Sequence, residues 1–251
     1  MDPVNRRTAL RYTYGDDPSQ YAEISLPDGS APAPVVVVIH GGFWSANFDA
    51  ELGRPLAADL VGRGFAVVNV EYRRVGNGGG WPQTGADVAA AIDALRHQGP
   101  DRLDLSQVVA LGHSAGGQLA GWLASRRAAP VVLTGAVLQS GVLDLVRGSE
   151  VGLRGGAVDA YLGGSPAQWP DAYAKASPIA LLPLGVPTVC VHGTGDTIVP
   201  IEQSQRFVAA ATRAGDTSDL RTFDGDHFDP ITVGTPAWDM CVDAVTSLLG
   251  G

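Results

Sequence analysis

Gln107-Val108-Val109-Ala110-Leu111-Gly112-His113-Ser114-Ala115-Gly116-Gly117-Gln118-Leu119-Ala120-Gly121-Trp122-Leu123-Ala124 is the stretch on which the fold assignment rests. Its apolar opening, 107–111, reads as a buried strand, and 117–124 reads as a helix. Between them stands Gly112-x-Ser114-x-Gly116. Glycines two residues either side of a serine, on a turn from strand to helix, form a nucleophile elbow. The turn is so tight that side chains at the glycine positions would meet neighbouring backbone. The serine hydroxyl is pushed out at the carboxyl end of the sheet. The amide of Ala115, at the helix start, points to where an oxyanion would form.

Outward from the elbow, apolar runs alternate with helical patterns. Residues 10–14 and 21–26 alternate apolar and polar and suggest two edge strands. Residues 35–39 are a continuous β-branched run, the mark of a central strand covered on both faces. A helix is expected over 49–63, ended by Gly64, then a buried strand over 65–70 and a helix over 84–96. Beyond the elbow helix come strands at 131–138 and 188–192, a helix at 202–214, a short strand at 220–223 and a helix at 236–249. Strands alternating with helices predict an α/β protein with a mostly parallel, doubly wound sheet and helices on both faces. The one irregular stretch, 140–177, is too long for a tight connection. It reads as a small cap over the carboxyl end of the sheet, within a single domain spanning 1–251.

Composition narrows the partners. The chain has 251 residues, 45% hydrophobic and 17% charged, with a formal net charge of −9. That is enough chain for a large core, and an acidic surface repels phosphate backbones, so no nucleic-acid partner is expected. No apolar run approaches the roughly 20 residues needed to span a bilayer. Met1 to Arg7 has no apolar segment behind it, so no signal peptide is expected. Cys190 and Cys241 read as buried free thiols, which points to the cytoplasm. No His, Asp or Glu cluster has metal-ligand spacing, so neither a metal nor another cofactor is expected. The oligomeric state is not legible.

A serine hydroxyl needs a base, and the base needs an acid behind it. Of five histidines, His97 reads as solvated on a helix end. His192 reads as bonded to local backbone, and His113 as directed away from its own serine. His227 lies in Asp224-Gly225-Asp226-His227-Phe228-Asp229-Pro230, a polar loop before the last helix and beside the elbow in a doubly wound sheet. It is the candidate base, against the plainer reading of a surface-loop histidine. Asp196 follows the strand at 188–192 and is the candidate acid, against the plainer reading of a turn or cap aspartate. Asp144 is the weaker alternative. The order Ser114, Asp196, His227 fits this architecture. His40-Gly41-Gly42-Phe43-Trp44 follows the central strand, and its glycines allow a second oxyanion donor, from Gly42 or Phe43, to pair with Ala115. Phe43, Trp44, Trp81, Trp169 and Phe228 are candidate pocket walls, with loop packing as the alternative for each.

These motifs together resemble the α/β-hydrolase superfamily of serine esterases and amidases, from about Tyr12 to Leu249. His40 to Trp44 and Gly112 to Gly117 are most similar to the branch of kynurenine formamidases and small acetyl- or carboxylesterases. Formamidases of that branch carry an aromatic pair after His-Gly-Gly, as Phe43-Trp44 does here. The hormone-sensitive-lipase branch usually has a third glycine where Phe43 stands. The resemblance implies a cofactor-free Ser–Asp–His hydrolase acting on a small ester or amide through an acyl-enzyme. Glu71-Tyr72-Arg73-Arg74 and Trp81-Pro82, familiar from the same branch, read as an ion-paired strand end and a packed loop. Two alternatives stay open: a prolyl-oligopeptidase-like peptidase, for which no gating domain is visible, and a non-catalytic binding module on the same fold.

Overall fold

The computed structural model describes residues 9–250. The expectation about Met1 to Arg7 lies outside the described residues. Eight strands form one sheet in the order β1-β2-β4-β3-β5-β6-β7-β8. They are β1 (Leu10–Thr13), β2 (Tyr21–Ser25), β3 (Ala33–Ile39), β4 (Ala66–Val70), β5 (Leu103–His113), β6 (Gly135–Gln139), β7 (Thr188–Gly193) and β8 (Ser218–Phe223). β1 and β2 join antiparallel, and every pairing from β4 to β8 is parallel. Helices α1 (Arg54–Gly62), α2 (Gln83–Gln98), α3 (Ala115–Ala124), α7 (Glu202–Ala214) and α8 (Pro236–Leu249) connect or close the strands. α4 (Leu145–Glu150), α5 (Ala157–Leu162) and α6 (Pro170–Ala176) lie in the long connection from β6 to β7.

The period-2 geometry of a strand sends alternate side chains to opposite faces. Val35, Val37 and Ile39 join one core with Val88, Ile92 and Leu119. Val36 and Val38 join the other with Leu60, Trp238 and Val242. A strand apolar at every position is therefore satisfied only between two helical layers, as the run at 35–39 required.

Three elements differ from expectation. The helix expected over 49–63 divides into a 3-10 turn (Ala50–Gly53) and α1, with Pro55 in the first turn of α1. Proline supplies no amide to a preceding turn and so begins a helix rather than continuing one. β5 starts at Leu103, earlier than the apolar run, with a register shift against β3 between Pro34 and Val35. β6 starts only at Gly135, because the chain first reaches β5 at Thr134, whose N–H bonds the Val108 carbonyl at 2.7 Å.

The connections set the place of the site. From β3 the chain goes to β4 on one side and returns to β5 on the other. Loops leaving the carboxyl ends of β3 and β5 diverge at this reversal and leave a crevice, where open α/β sheets bind ligands. The β3 loop begins at His40, and the β5 turn is the elbow. Among the described residues, no helix is long and apolar enough to cross a membrane.

Candidate active site

Ser114 sits between β5 and α3 with φ 55° and ψ −115°. A non-glycine residue in this region costs about 1–3 kcal/mol, which the surrounding fold must offset. The neighbours explain the glycines. A Cβ on Gly112 would lie 2.1 Å from the Gly116 carbonyl oxygen, and one on Gly116 would lie 2.1 Å from that of Ile39. The elbow is tied down by its backbone: Ser114 N–H donates to the Gln139 carbonyl at 2.8 Å. Ser114 Oγ itself is buried and has no hydrogen-bond partner. Ala115 is the first residue of α3, where an amide has no intrahelical acceptor.

Asp196 and His227 meet at the same end of the sheet. Asp196 Oδ2 accepts a hydrogen bond from His227 Nδ1 at 2.7 Å. Its other oxygen accepts the amides of Ile198 and Val199 at 2.9 and 2.8 Å. The turn contacts and the contact with His227 thus use different oxygens of Asp196, so the turn reading does not exclude the acid reading. Burial pushes the Asp196 carboxyl up, but hydrogen bonds from His192 and His227, the His227 charge and the Val199 amide outweigh it. The carboxyl is held well below its usual range. An ionised carboxylate only accepts, so Nδ1 of His227 carries the proton and Nε2 is left as an acceptor.

Two further histidines brace this pair, and sequence reasoning missed both links. His192 does bond local backbone, through Nε2 to the Val199 carbonyl at 2.9 Å. The same Nε2 also lies 3.3 Å from Asp196 Oδ2, while Nδ1 is 2.7 Å from Ser204 Oγ. His113 turns away from its own serine and donates from Nε2 to the His227 carbonyl at 2.9 Å. Its ring stands 4.6 Å from that of His227. Burial and the neighbouring His227 push the His113 pKa down to about 3, so it stays neutral. Asp144 is engaged elsewhere: it caps α4 and pairs with Arg206 at 2.8 Å. Asp226 and Asp229 shape the loop that presents His227, through amides of Phe228 and Asp226.

The loop after β3 is forced into an uncommon path. Gly42, Phe43 and Trp44 have φ values of 110°, 56° and 53°. Two consecutive non-glycine residues at positive φ persist only where contacts over-determine them. Those contacts are present. Trp44 donates its indole N–H to Gln118 Oε1 at 2.9 Å and stacks on Tyr161 of α5 at 4.4 Å. Tyr72 stacks on His40 at 4.3 Å and donates to the His40 carbonyl at 2.7 Å. Glu71 pairs with Arg74 at 2.8 Å, and Arg74 reaches the Phe48 carbonyl. Gly41 lies against the elbow, where a Cβ would come within 3.1 Å of Ser114 Cβ.

The aromatics divide. Phe43 lines an open depression of about 260 Å³ together with Phe48, Asn47 and Arg154. Phe228 is exposed and edge-on to His227 at 5.4 Å. Trp44 and Trp81, expected as pocket walls, are placed in packing. Trp44 is 1% exposed, and Trp81 lies edge-on to Trp122 and Tyr161 at 5.5 and 6.4 Å. Trp44 joins the β3 loop to α5, Trp81 joins the connection after β4 to α3 and α5, and Trp44 is not among the residues lining the depression. Trp169 is 54% exposed at the start of α6. Among the described residues, no group of three His, Cys, Asp or Glu is arranged to hold a metal ion.

Residues 23–210 match the BD-FAE family. The chain is 27% identical to Esterase LipC of Mycobacterium tuberculosis over 240 residues, covering 82% of this chain and 54% of that protein. It is 31% identical to kynurenine formamidase of Danio rerio over 147 residues, 55% of this chain and 47% of that one. It therefore spans about half the length of these two curated relatives. Among solved structures, it is similar to the propionate-bound form of a thermophilic esterase from the Planctomycetes species Thermogutta terrifontis. The TM-score is 0.77 at 25% identity, over 99% of this chain and 95% of that one.

Proposed function

Because the chain belongs to the BD-FAE family and has the α/β-hydrolase fold, we propose that it is a serine hydrolase cleaving short-acyl esters. Ser114 is the nucleophile, His227 the general base and Asp196 the acid that orients it. Ser114 Oγ attacks the ester carbonyl carbon while its proton passes to His227 Nε2. The negative charge gathers on the former carbonyl oxygen, which accepts hydrogen bonds from the amides of Ala115 and of Gly42 or Phe43. Collapse breaks the bond to the alcohol, which leaves with the proton from His227, and the acyl group stays on Ser114. Water, deprotonated by His227, then attacks the acyl-enzyme and releases the acid.

The observation that carries this reading is the 2.7 Å bond between His227 Nδ1 and Asp196 Oδ2, set beside a strained serine with an unengaged hydroxyl. A short acyl group is supported by the cap, whose helices run only 6, 6 and 7 residues. They offer little apolar roof for a long chain. The propionate carried by the Thermogutta terrifontis esterase supports the same size class. A formamide substrate is the second reading, favoured by the likeness to kynurenine formamidase. The buried free thiols Cys190 and Cys241 support a cytoplasmic address.

The test pairs a fluorophosphonate label with turnover of p-nitrophenyl acetate, butyrate and octanoate and of N-formylkynurenine. Ser114→Ala is expected to abolish labelling and lower kcat by about 10³-fold or more. Retention of over a tenth of wild-type kcat in pure protein refutes the assignment. The substrate panel separates ester from formamide.

A further inference from the structure

We propose that Arg154 makes the depression beside the oxyanion loop a subsite for a carboxylate on the substrate, so that the enzyme prefers anionic esters. This rests on the hydrolase reading above and names the substrate class within it.

Among the described residues, eight arginines lie on carboxylates. With 26 acidic and 17 basic side chains, carboxylates are in excess. Arg73 lies on Asp87, Arg74 on Glu71, Arg147 on Glu150 and Glu202, and Arg206 on Asp144. Arg154, the cation that lines the depression, is not among them. Among the described residues, no carboxylate and no hydrogen-bond acceptor engages it, and its guanidinium lies 5.2 Å over the Phe43 ring. Nearby carboxylates are committed elsewhere. Glu150 pairs with Arg147, and Asp159 takes hydroxyls from Ser149 and Tyr173.

The backbone holds Arg154 at this place. It adopts φ 49° and ψ 42° in a turn whose glycines, Gly152, Gly155 and Gly156, also have positive φ. Leu153 is buried and pins the turn to the core, so the next residue is directed outward. The side chain lies over Phe43, the residue expected to supply an oxyanion amide. Phe43 therefore belongs both to the candidate oxyanion loop and, through its ring, to the wall of the depression that Arg154 lines. The rest of the depression suits an organic anion: Phe43 and Phe48 offer aromatic faces, and Ser45 and Asn47 offer neutral polar groups. A guanidinium resting on a ring presents its fork of N–H donors edgewise, the arrangement that grips a carboxylate at two points. The acidic surface elsewhere would repel such a substrate, so one unpaired cation at the site discriminates sharply.

Two matched pairs of esters test this. On the acyl side, p-nitrophenyl hydrogen glutarate is compared with p-nitrophenyl valerate. On the leaving-group side, the acetyl ester of 3-hydroxybenzoate is compared with that of methyl 3-hydroxybenzoate. Wild type is expected to favour the charged member of one pair in kcat/KM by about fivefold or more, and less at high salt. Arg154→Met should abolish that preference while leaving the neutral members within twofold, and Arg154→Lys should restore part of it. The pair that responds identifies which side carries the anion. A charged-to-neutral ratio unchanged by Arg154→Met in both pairs overturns the inference, even with Ser114-dependent turnover intact. If neutral esters are hydrolysed without Ser114, the hydrolase reading itself has failed instead.

Discussion

Replacing His113 by Gln removes a titrating group from the back of the elbow while keeping an N–H that can donate to the His227 carbonyl. The wild-type imidazole is pushed down from 6.5 to about 3 by burial and by His227. Between those values the unfolded chain binds a proton that the folded protein refuses. Stability from this group is therefore complete above pH 6.5 and is lost as pH falls toward 3. The full difference corresponds to roughly 5 kcal/mol, of which about 3 kcal/mol is already lost at pH 4. Asp196, also depressed, loses its contribution only below the ordinary carboxylate range, and it does so equally in both proteins. Urea unfolding followed by tryptophan fluorescence at pH 7 and pH 4 isolates the His113 part. Wild type should lose about 3 kcal/mol more than His113→Gln over that interval. Equal losses in the two proteins would refute the claim that His113 is held neutral by its surroundings.

Asp196→Asn keeps an oxygen for the Ile198 and Val199 amides, so the turn should survive. Its amide N–H₂ facing His227 Nδ1 forces the wrong tautomer and should lower kcat by about 10⁴-fold, with Asp224→Asn within twofold of wild type. A damaging Asp224→Asn beside a mild Asp196→Asn would move the acid. Trp44→Ala removes the Gln118 bond and the Tyr161 stack and should cost about 3–5 kcal/mol in urea unfolding. It should leave the order of acetate, butyrate and octanoate unchanged, whereas Phe43→Ala should shift preference toward longer chains, by about 1–3 kcal/mol per methylene at most. A shift produced by Trp44→Ala alone would return that indole to the pocket.

The legibility of this chain follows from where its constraints are local. The strand at 35–39 was readable because burial on both faces leaves no polar position, and the structure sends Val35 and Val36 to different cores. The elbow was readable because steric exclusion at Gly112 and Gly116 acts within a few residues. Pro55 dividing the first helix is also local, but the apolar spacing of Leu52 and Leu56 hid it. Other features depend on segments far apart in sequence. Trp44 after two glycines reads equally well as a pocket wall or a prop. What decides is Tyr161, 117 positions later, which stacks on it, and Gln118, which takes its N–H. His113 carries no signal of its role, since the His227 carbonyl reaches it only in the folded sheet, whereas His192 has its partners Asp196, Val199 and Ser204 close in sequence and only the geometry of that turn adds the carboxylate to the expected backbone bond.

One physical theme connects these non-local contacts. Ser114, Phe43 and Trp44 all hold backbone conformations that an isolated peptide would avoid. The serine and the tryptophan are fixed by groups from other elements, Gln139 for the serine amide and Gln118 with Tyr161 for the tryptophan, and the start of the loop is held by Tyr72 on the carbonyl of His40. Gln118 is the common member. Its oxygen accepts from Trp44, and its nitrogen donates to the Ala176 carbonyl at the end of α6 at 2.8 Å. It stands on α3, the helix whose first amide is the candidate oxyanion donor. A single buried amide side chain thus ties the helix of the elbow to the β3 loop and to the cap. Strain in the β3 loop is offset through this joint and strain at Ser114 through the Gln139 carbonyl, so the loop and the start of α3 are each braced by groups from a different element.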